Sequence, residues 1–255
     1  IKKNKLRVSM REYFTRNEVQ SVLNIEIELD AGELKSENPW LFSVFVKYDG
    51  LNTLSEAYED FLETKESLII AIEYEGKAHY LGMRIIDGWS EFYFCASSVK
   101  ELNSMVTSIL KNTGYVYESN SIKDKKWNFY ETQLSPSELE LIHIQSEKII
   151  FLLEEEGEDL NLSRDVEHYV SFITPTQKNR FLNTLDIKGF VFKDDISDEE
   201  FANGVALVKN HAVTKDVVQA VVNELYEVIK ENQGYYEGWS TTLMNEASLI
   251  NSEIE

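Results

Sequence analysis

The side chains that could do chemistry in this chain are four histidines, one cysteine and a large excess of carboxylates. The histidines are His79, His143, His168 and His211. No His-x-x-x-His pair joins any two of them, so their spacing does not point to a metal centre. The glycines are scattered at turn-like positions and form no phosphate-cradling loop, and no Gly-x-Ser-x-Gly elbow presents a serine nucleophile. Cys95 is the only cysteine and sits in the apolar run Phe92-Tyr93-Phe94-Cys95-Ala96. A thiol in that setting reads as a small core residue, and a single cysteine cannot form an internal disulfide. No catalytic constellation, metal or cofactor is therefore expected.

Carboxylates are another matter. Asp and Glu number 45 against 25 Lys and Arg, giving a net charge of −20. A field of that sign repels phosphate backbones and anionic lipid, so direct nucleic-acid binding and membrane association are not expected. It favours solubility and attracts basic partners. The densest acidic cluster in the last third is Asp194, Asp195, Asp198, Glu199 and Glu200, read as a loop. It lacks the ligand order and turn glycine of a calcium loop. It reads either as a solvated loop or as a docking surface for a basic protein. Close by in kind is Tyr235-Tyr236-Glu237-Gly238-Trp239. Simple alternation puts Tyr235 and Glu237 on one side of a strand and Tyr236 and Gly238 on the other. Tyr236, Glu237 and Trp239 join the acidic residues as candidate partner contacts, because Tyr and Trp are enriched in interfaces.

The elements that must position these residues are legible in outline. Val19 to Leu29 alternates as a half-buried strand, and Trp40 to Tyr48 is a second. Ser55 starts a helix expected to run to about Thr64. Leu68 to Glu75, Ala78 to Ile86 and Trp89 to Ala96 read as three strands joined by turns at Glu75-Gly76-Lys77 and Asp87-Gly88. A helix with Leu102, Val106, Ile109 and Leu110 on one face follows, then a strand at Tyr115 to Ser119. Trp127 to Leu134 reads as extended, and Ser135-Pro136 as the cap and first residue of a further helix. The run Glu154-Glu155-Glu156-Gly157-Glu158-Asp159 suggests a linker, and with it two domains, 1–160 and 161–255. Beyond it come a strand from His168, a helix opened by Thr174-Pro175, strands at Phe190 to Phe192 and Val205 to Val213, a long helix from Thr214 to Asn232, and a strand from Tyr235 to Ser240. That β-α-β-β-α-β order predicts a ferredoxin-like domain, an antiparallel sheet with helices on one face. The whole is expected to be α+β, two α/β-sandwich domains in tandem.

Two family resemblances attach to these residues. The β-α-β-β-α-β order, the acidic stretch after the second strand, the helix Thr214–Asn232 and the ending Tyr236-Glu237-Gly238-Trp239-Ser240 resemble the bacterial ribonuclease E inhibitor B family, the regulators of RNase E activity B, over roughly residues 168–245. That family often carries Asp and Gly where this chain has Glu237 and Ser240. The earlier part resembles domain-of-unknown-function family 695 through Asp49-Gly50-Leu51, Glu91-Phe92-Tyr93-Phe94, Trp127-x-x-Tyr130 and Arg164-Asp165-Val166-Glu167-His168. Asp49, Gly50, Trp127, Tyr130, Arg164, His168 and Gly238 are motif residues with an expected structural role. The first resemblance implies a non-enzymatic, bacterial-type cytoplasmic regulator that docks on an endoribonuclease. The second implies no established activity. Two other functions fit the residues alone. One is an immunity-type protein neutralising a basic nuclease toxin. The other is a carboxylate-dependent hydrolase or ligand-binding protein using an inter-domain cleft.

Overall fold

The protein is described by a computed structural model over residues 11–17, 22–48, 54–184, 189–196 and 203–244. Asp49, Gly50, Asp198, Glu199 and Glu200 lie outside the described residues. The chain is α+β and divides into two units, Ile1–Ser135 and Pro136–Glu255.

The first unit is built on β1 (Arg11–Asn17), β2 (Val22–Glu28), β3 (Trp40–Val46), α1 (Glu56–Glu73), β4 (Ala78–Ile86), β5 (Trp89–Ala96), α2 (Leu102–Leu110) and β6 (Tyr117–Lys123). The sheet order is β1-β2-β4-β5-β3-β6, antiparallel throughout. Alternation sorts its side chains into two cores. Phe42, Val44, Phe92 and Phe94 meet α1 and α2 on one face. Leu41, Tyr93 and Cys95 meet Trp127, Tyr130 and Leu134 on the other.

Two expectations about local structure fail here. Leu68 to Glu75 is no strand: α1 continues through it to Glu73. Five apolar residues in a row fit a buried strand or a helix equally well over so short a window. The longer spacing decides, because Phe61, Lys65, Leu68, Ile69 and Ile72 are buried at helical intervals while Ile70 is exposed. Trp127 to Leu134 is not extended either. The Asp124 carboxylate accepts from the Asn128 and Phe129 amides, both at 3.0 Å, and a π-helical turn follows over Tyr130–Leu134. Trp127 Nε1 donates to the Asn38 carbonyl at 2.9 Å and Tyr130 Oη to the Glu28 carbonyl at 2.9 Å. These two motif residues thus tie their segment across one face of the sheet.

The second unit runs α3 (Glu138–Glu155), β7 (Arg164–Phe172), α4 (Pro175–Leu182), β8 (Val191–Ile196), β9 (Gly204–His211), α5 (Lys215–Glu231) and β10 (Gly234–Thr241). The sheet order is β10-β7-β9-β8, antiparallel throughout. Numbered from β7, that is the 4-1-3-2 order of a split β-α-β sandwich. Val166, Val170 and Phe172 of β7 share one core with Phe181 of α4, Val218, Val222, Leu225 and Ile229 of α5, and Ile150 and Leu153 of α3. All three helices therefore cover the same face of the sheet.

The helix starts follow local rules. Ser137 and Glu140 form a reciprocal capping box, with the Glu140 amide donating to Ser137 Oγ at 3.2 Å and the Ser137 amide to Glu140 Oε2 at 2.7 Å. Ser137, not Ser135, is the cap. Thr174 and Gln177 repeat the device at α4, with Pro175 at the first helical position. The acidic run at 154–159 does not separate the units. It ends α3 and turns at Gly157 (φ 76°), and the buried Glu158 carboxylate pairs with the buried Arg164 guanidinium. The boundary falls near Ser135 rather than 160 because the apolar side of α3 belongs to the second core.

Candidate protein-binding face

With three helices on one side, the other side of the second sheet is open. On β7 the residues that alternate with core Val166, His168 and Val170 are Asp165, Glu167, Tyr169 and Ser171. Register places Tyr235, Gly238 and Ser240 of β10 beside Ser171, Tyr169 and Glu167. On the far side, β9 contributes Ala206, Val208 and Asn210, and β8 contributes Val191 and Asp194. Tyr169 Oη and Ser240 Oγ lie 2.7 Å apart, Asn210 Nδ2 donates to Asp165 Oδ1 at 2.8 Å, and Ser171 Oγ donates to Glu237. Lys193 reaches across to pair with Glu167. Among the described strand residues Lys193 is the one basic side chain on this face, against Asp165, Glu167, Asp194 and Glu237. The face is anionic, with the Tyr169 hydroxyl near Glu167 and the Tyr235 ring on the edge strand β10.

The candidates from the sequence are divided by this geometry. Asp194 and Glu237 are exposed on or beside the open face. Asp194 and Asp195 are strand residues, not loop residues, and so point to opposite sides. Asp195 turns toward the helices and pairs with Lys178 of α4 at 2.5 Å.

Tyr236 and Trp239 are both buried in the core and offer no ring to a partner. Plain alternation would separate residues three apart. A bulge between Tyr236 and Gly238 takes up Glu237 as the extra residue, so Tyr236 meets Val170 and Trp239 meets His168 on the same side. Trp239 Nε1 is satisfied there by Ser146 Oγ of α3 at 3.0 Å. Tyr235 is the exposed ring of the segment, with Lys230 Nζ 5.3 Å from its centroid. Gly238 adopts φ 133° just past the bulge. Arg164, besides its Glu158 partner, donates to the Asp159 carbonyl at 2.8 Å.

A chain of buried polar groups lies beneath this face. His168 Nδ1 is 2.9 Å from Tyr236 Oη, His168 Nε2 is 3.3 Å from His211 Nε2, and His211 Nδ1 is 2.7 Å from the Ala212 carbonyl. A carbonyl only accepts, so His211 carries its proton on Nδ1 and accepts at Nε2. His168 then donates from Nε2, and Tyr236 Oη donates to its Nδ1. Burial, aided by the nearby charges of His211 and Lys209, pushes His168 down to about 3, and burial likewise lowers His211 and raises the Tyr236 phenol. One chain of donors with every polar atom used holds strands together and leaves no free base. The signal available in the sequence was His168 itself, set at a core position between Val166 and Val170. Its partner 43 residues on was not visible.

Among the described residues no cluster of three or more His, Cys, Asp or Glu could hold a metal ion. The Cys95 thiol is buried. No helix among them is long and apolar enough to cross a membrane.

Residues 143–241 match the family described as Regulator of ribonuclease activity B. Residues 15–135 match a second, described as Family of unknown function (DUF695). The two matches fall one in each unit, and the regulator match takes in most of α3 as well as the ferredoxin-like sheet. No curated protein matches the chain. Among solved structures, the "Crystal Structure of an Unknown Protein from Galdieria sulphuraria" is 14% identical and covers 81% of this chain and 100% of its own, with a TM-score of 0.21. That score is too low to support a shared fold.

Proposed function

We propose that this chain is a protein-binding regulator whose second unit docks a basic surface of a ribonuclease through the open face of its sheet. The observation that carries the reading is the charge of that face. Four-stranded sheets of β-α-β-β-α-β order can use an open face with aromatic side chains to stack RNA bases, and they need positive charge to hold the backbone. Here Tyr169 and Tyr235 share the face with Asp165, Glu167, Asp194 and Glu237. The same shape is therefore set to repel RNA and to attract a protein that binds it. The match of residues 143–241 to a regulator of ribonuclease activity supports a ribonuclease as the class of target. In this reading the chain acts by occupying its partner, not by chemistry, and it acts in the cytoplasm. The lone, buried Cys95 suits a reducing compartment.

The test is an RNA-cleavage assay with an RNase E-type endoribonuclease, titrated with the full chain at low and high salt. The chain is expected to change the cleavage rate at low salt, with the effect fading as salt rises. The double variant Glu167→Lys/Glu237→Lys is expected to weaken the effect at least ten-fold. No change of rate and no binding at stoichiometric excess in low salt would reject the reading.

A further inference from the structure

The strand β8 is unlike the other three of its sheet. Among the described residues it is hydrogen-bonded along one edge only, by β9, so the backbone groups of its other edge have no strand partner. Val191 through Asp195 are exposed on both faces of the sheet, including Val191 at 66% and Phe192 at 47%. Two adjacent apolar side chains are thus left in water where they contribute little to the core. Two adjacent carboxylates, Asp194 and Asp195, follow them and point to opposite faces. Lys193 sits at the bulge between Phe192 and Asp194 and is drawn away to Glu167.

We infer that β8 is the edge to which a basic, extended segment of the partner adds as a further strand. This rests on the proposed function and supplies its mode of contact. Strand addition takes its affinity from main-chain hydrogen bonds and its selectivity from the side chains that flank the edge. On β8 those side chains ask for two apolar residues opposite Val191 and Phe192, a basic residue opposite Asp194, and a second beside Asp195, whose carboxylate pairs with Lys178 of α4 yet stays 60% exposed. Charge decides the occupant. A second copy of this chain carries the same carboxylates on a net charge of −20 and is repelled, which is how natural edges avoid self-association. A segment bearing arginine is drawn to the same edge. One device thus excludes the copy and admits the partner.

The probe is a blocked, fluorescent peptide, Arg-Arg-Thr-Val-Val, which places its side chains in the required order when antiparallel to β8. Val-Val-Thr-Arg-Arg serves the parallel alignment, and Glu-Glu-Thr-Val-Val is the charge control. Binding to the full chain is read by fluorescence anisotropy at low salt, and its location by amide hydrogen exchange. One of the two basic peptides is expected to bind at least ten-fold more tightly than the acidic control and to slow exchange within 191–196. N-methylation of alternate peptide amides is expected to abolish binding, because it removes the ladder but keeps the charge. Asp194→Lys alone and Asp194→Lys/Asp195→Lys, checked for native circular dichroism, are expected to weaken binding progressively. Binding that survives N-methylation, protection elsewhere than β8, or no binding by either basic peptide would overturn strand addition. The proposed function fails separately. A ribonuclease that responds to Glu167→Lys/Glu237→Lys but not to the β8 variants leaves the docking face standing and removes the edge.

Discussion

His168 Nε2 lies 3.3 Å from His211 Nε2, and both imidazoles are buried. Only one of the two nitrogens can carry a proton, so the arrangement holds while both rings are neutral. Folding lowers both rings from the ordinary 6.5, His168 to about 3. A lowered histidine is protonated more readily in the unfolded chain. Its contribution is therefore complete above pH 6.5 and is lost as pH falls toward 3. For His168 the loss is about 1.4 kcal/mol per pH decade across that window. Urea-unfolding midpoints measured from pH 7.5 down to about 4.5 should fall in the wild type. His168→Leu should be less stable at neutral pH, having stranded Tyr236 Oη and His211 Nε2, but should decline less steeply. Identical slopes would show that the pair is not the source.

In the first unit the buried carboxylate of Glu26 pairs with the buried ammonium of Lys65 and accepts from Tyr80 Oη at 2.7 Å. Lys65→Met leaves that carboxylate only the more distant Arg11 guanidinium at 3.9 Å and should cost up to about 3–5 kcal/mol. Lys65→Met combined with Glu26→Leu removes the orphan charge and should recover much of the loss. Chemical denaturation of both variants decides it, and a double variant no better than the single would mean that the pair is not coupled.

Gly82 sits just past the β4 bulge at Leu81 with φ 153°, where an added Cβ would collide with the Glu26 carbonyl oxygen and lie 3.2 Å from Ile27 Cα. Backbone on a paired strand cannot step aside. Gly82→Ala should cost about 1–3 kcal/mol or more. Gly32→Ala, where nothing lies within 4 Å of the new Cβ, should stay within about 0.5 kcal/mol. Thermal melts of the two side by side test the contrast.

Trp239 and Tyr235 separate packing from recognition. Trp239→Ala empties a core position and strands Ser146 Oγ, and should cost about 3–5 kcal/mol. Tyr235→Ala removes an exposed ring and should change stability by no more than about 0.5 kcal/mol. Affinity for a basic partner should fall in the Tyr235 variant at unchanged melting temperature. A stable Trp239→Ala protein would contradict the core placement.

The sequence by itself determined what depends on neighbours along the chain. The Thr174-Pro175 start of α4, the apolar stripe of α5 and the alternation of β7 are short-range patterns that carry their own physical cause. Together they made the β-α-β-β-α-β order legible, and with it the second unit as a ferredoxin-like sheet. Tertiary structure decided whatever depended on a distant partner. The run Leu68 to Ile72 suits a strand or a helix until α1 is seen laid on the sheet. Helix α3 could have belonged to either unit until Ile150 and Leu153 entered the second core. Trp239 turned inward because a bulge, visible only in the pairing of β10 with β7, shifted its phase by one residue. The anionic face was assembled from four strands, each adding two to four of its residues. Period and capping act over a few residues, whereas register is set between segments that in β7 and β10 lie some 70 residues apart.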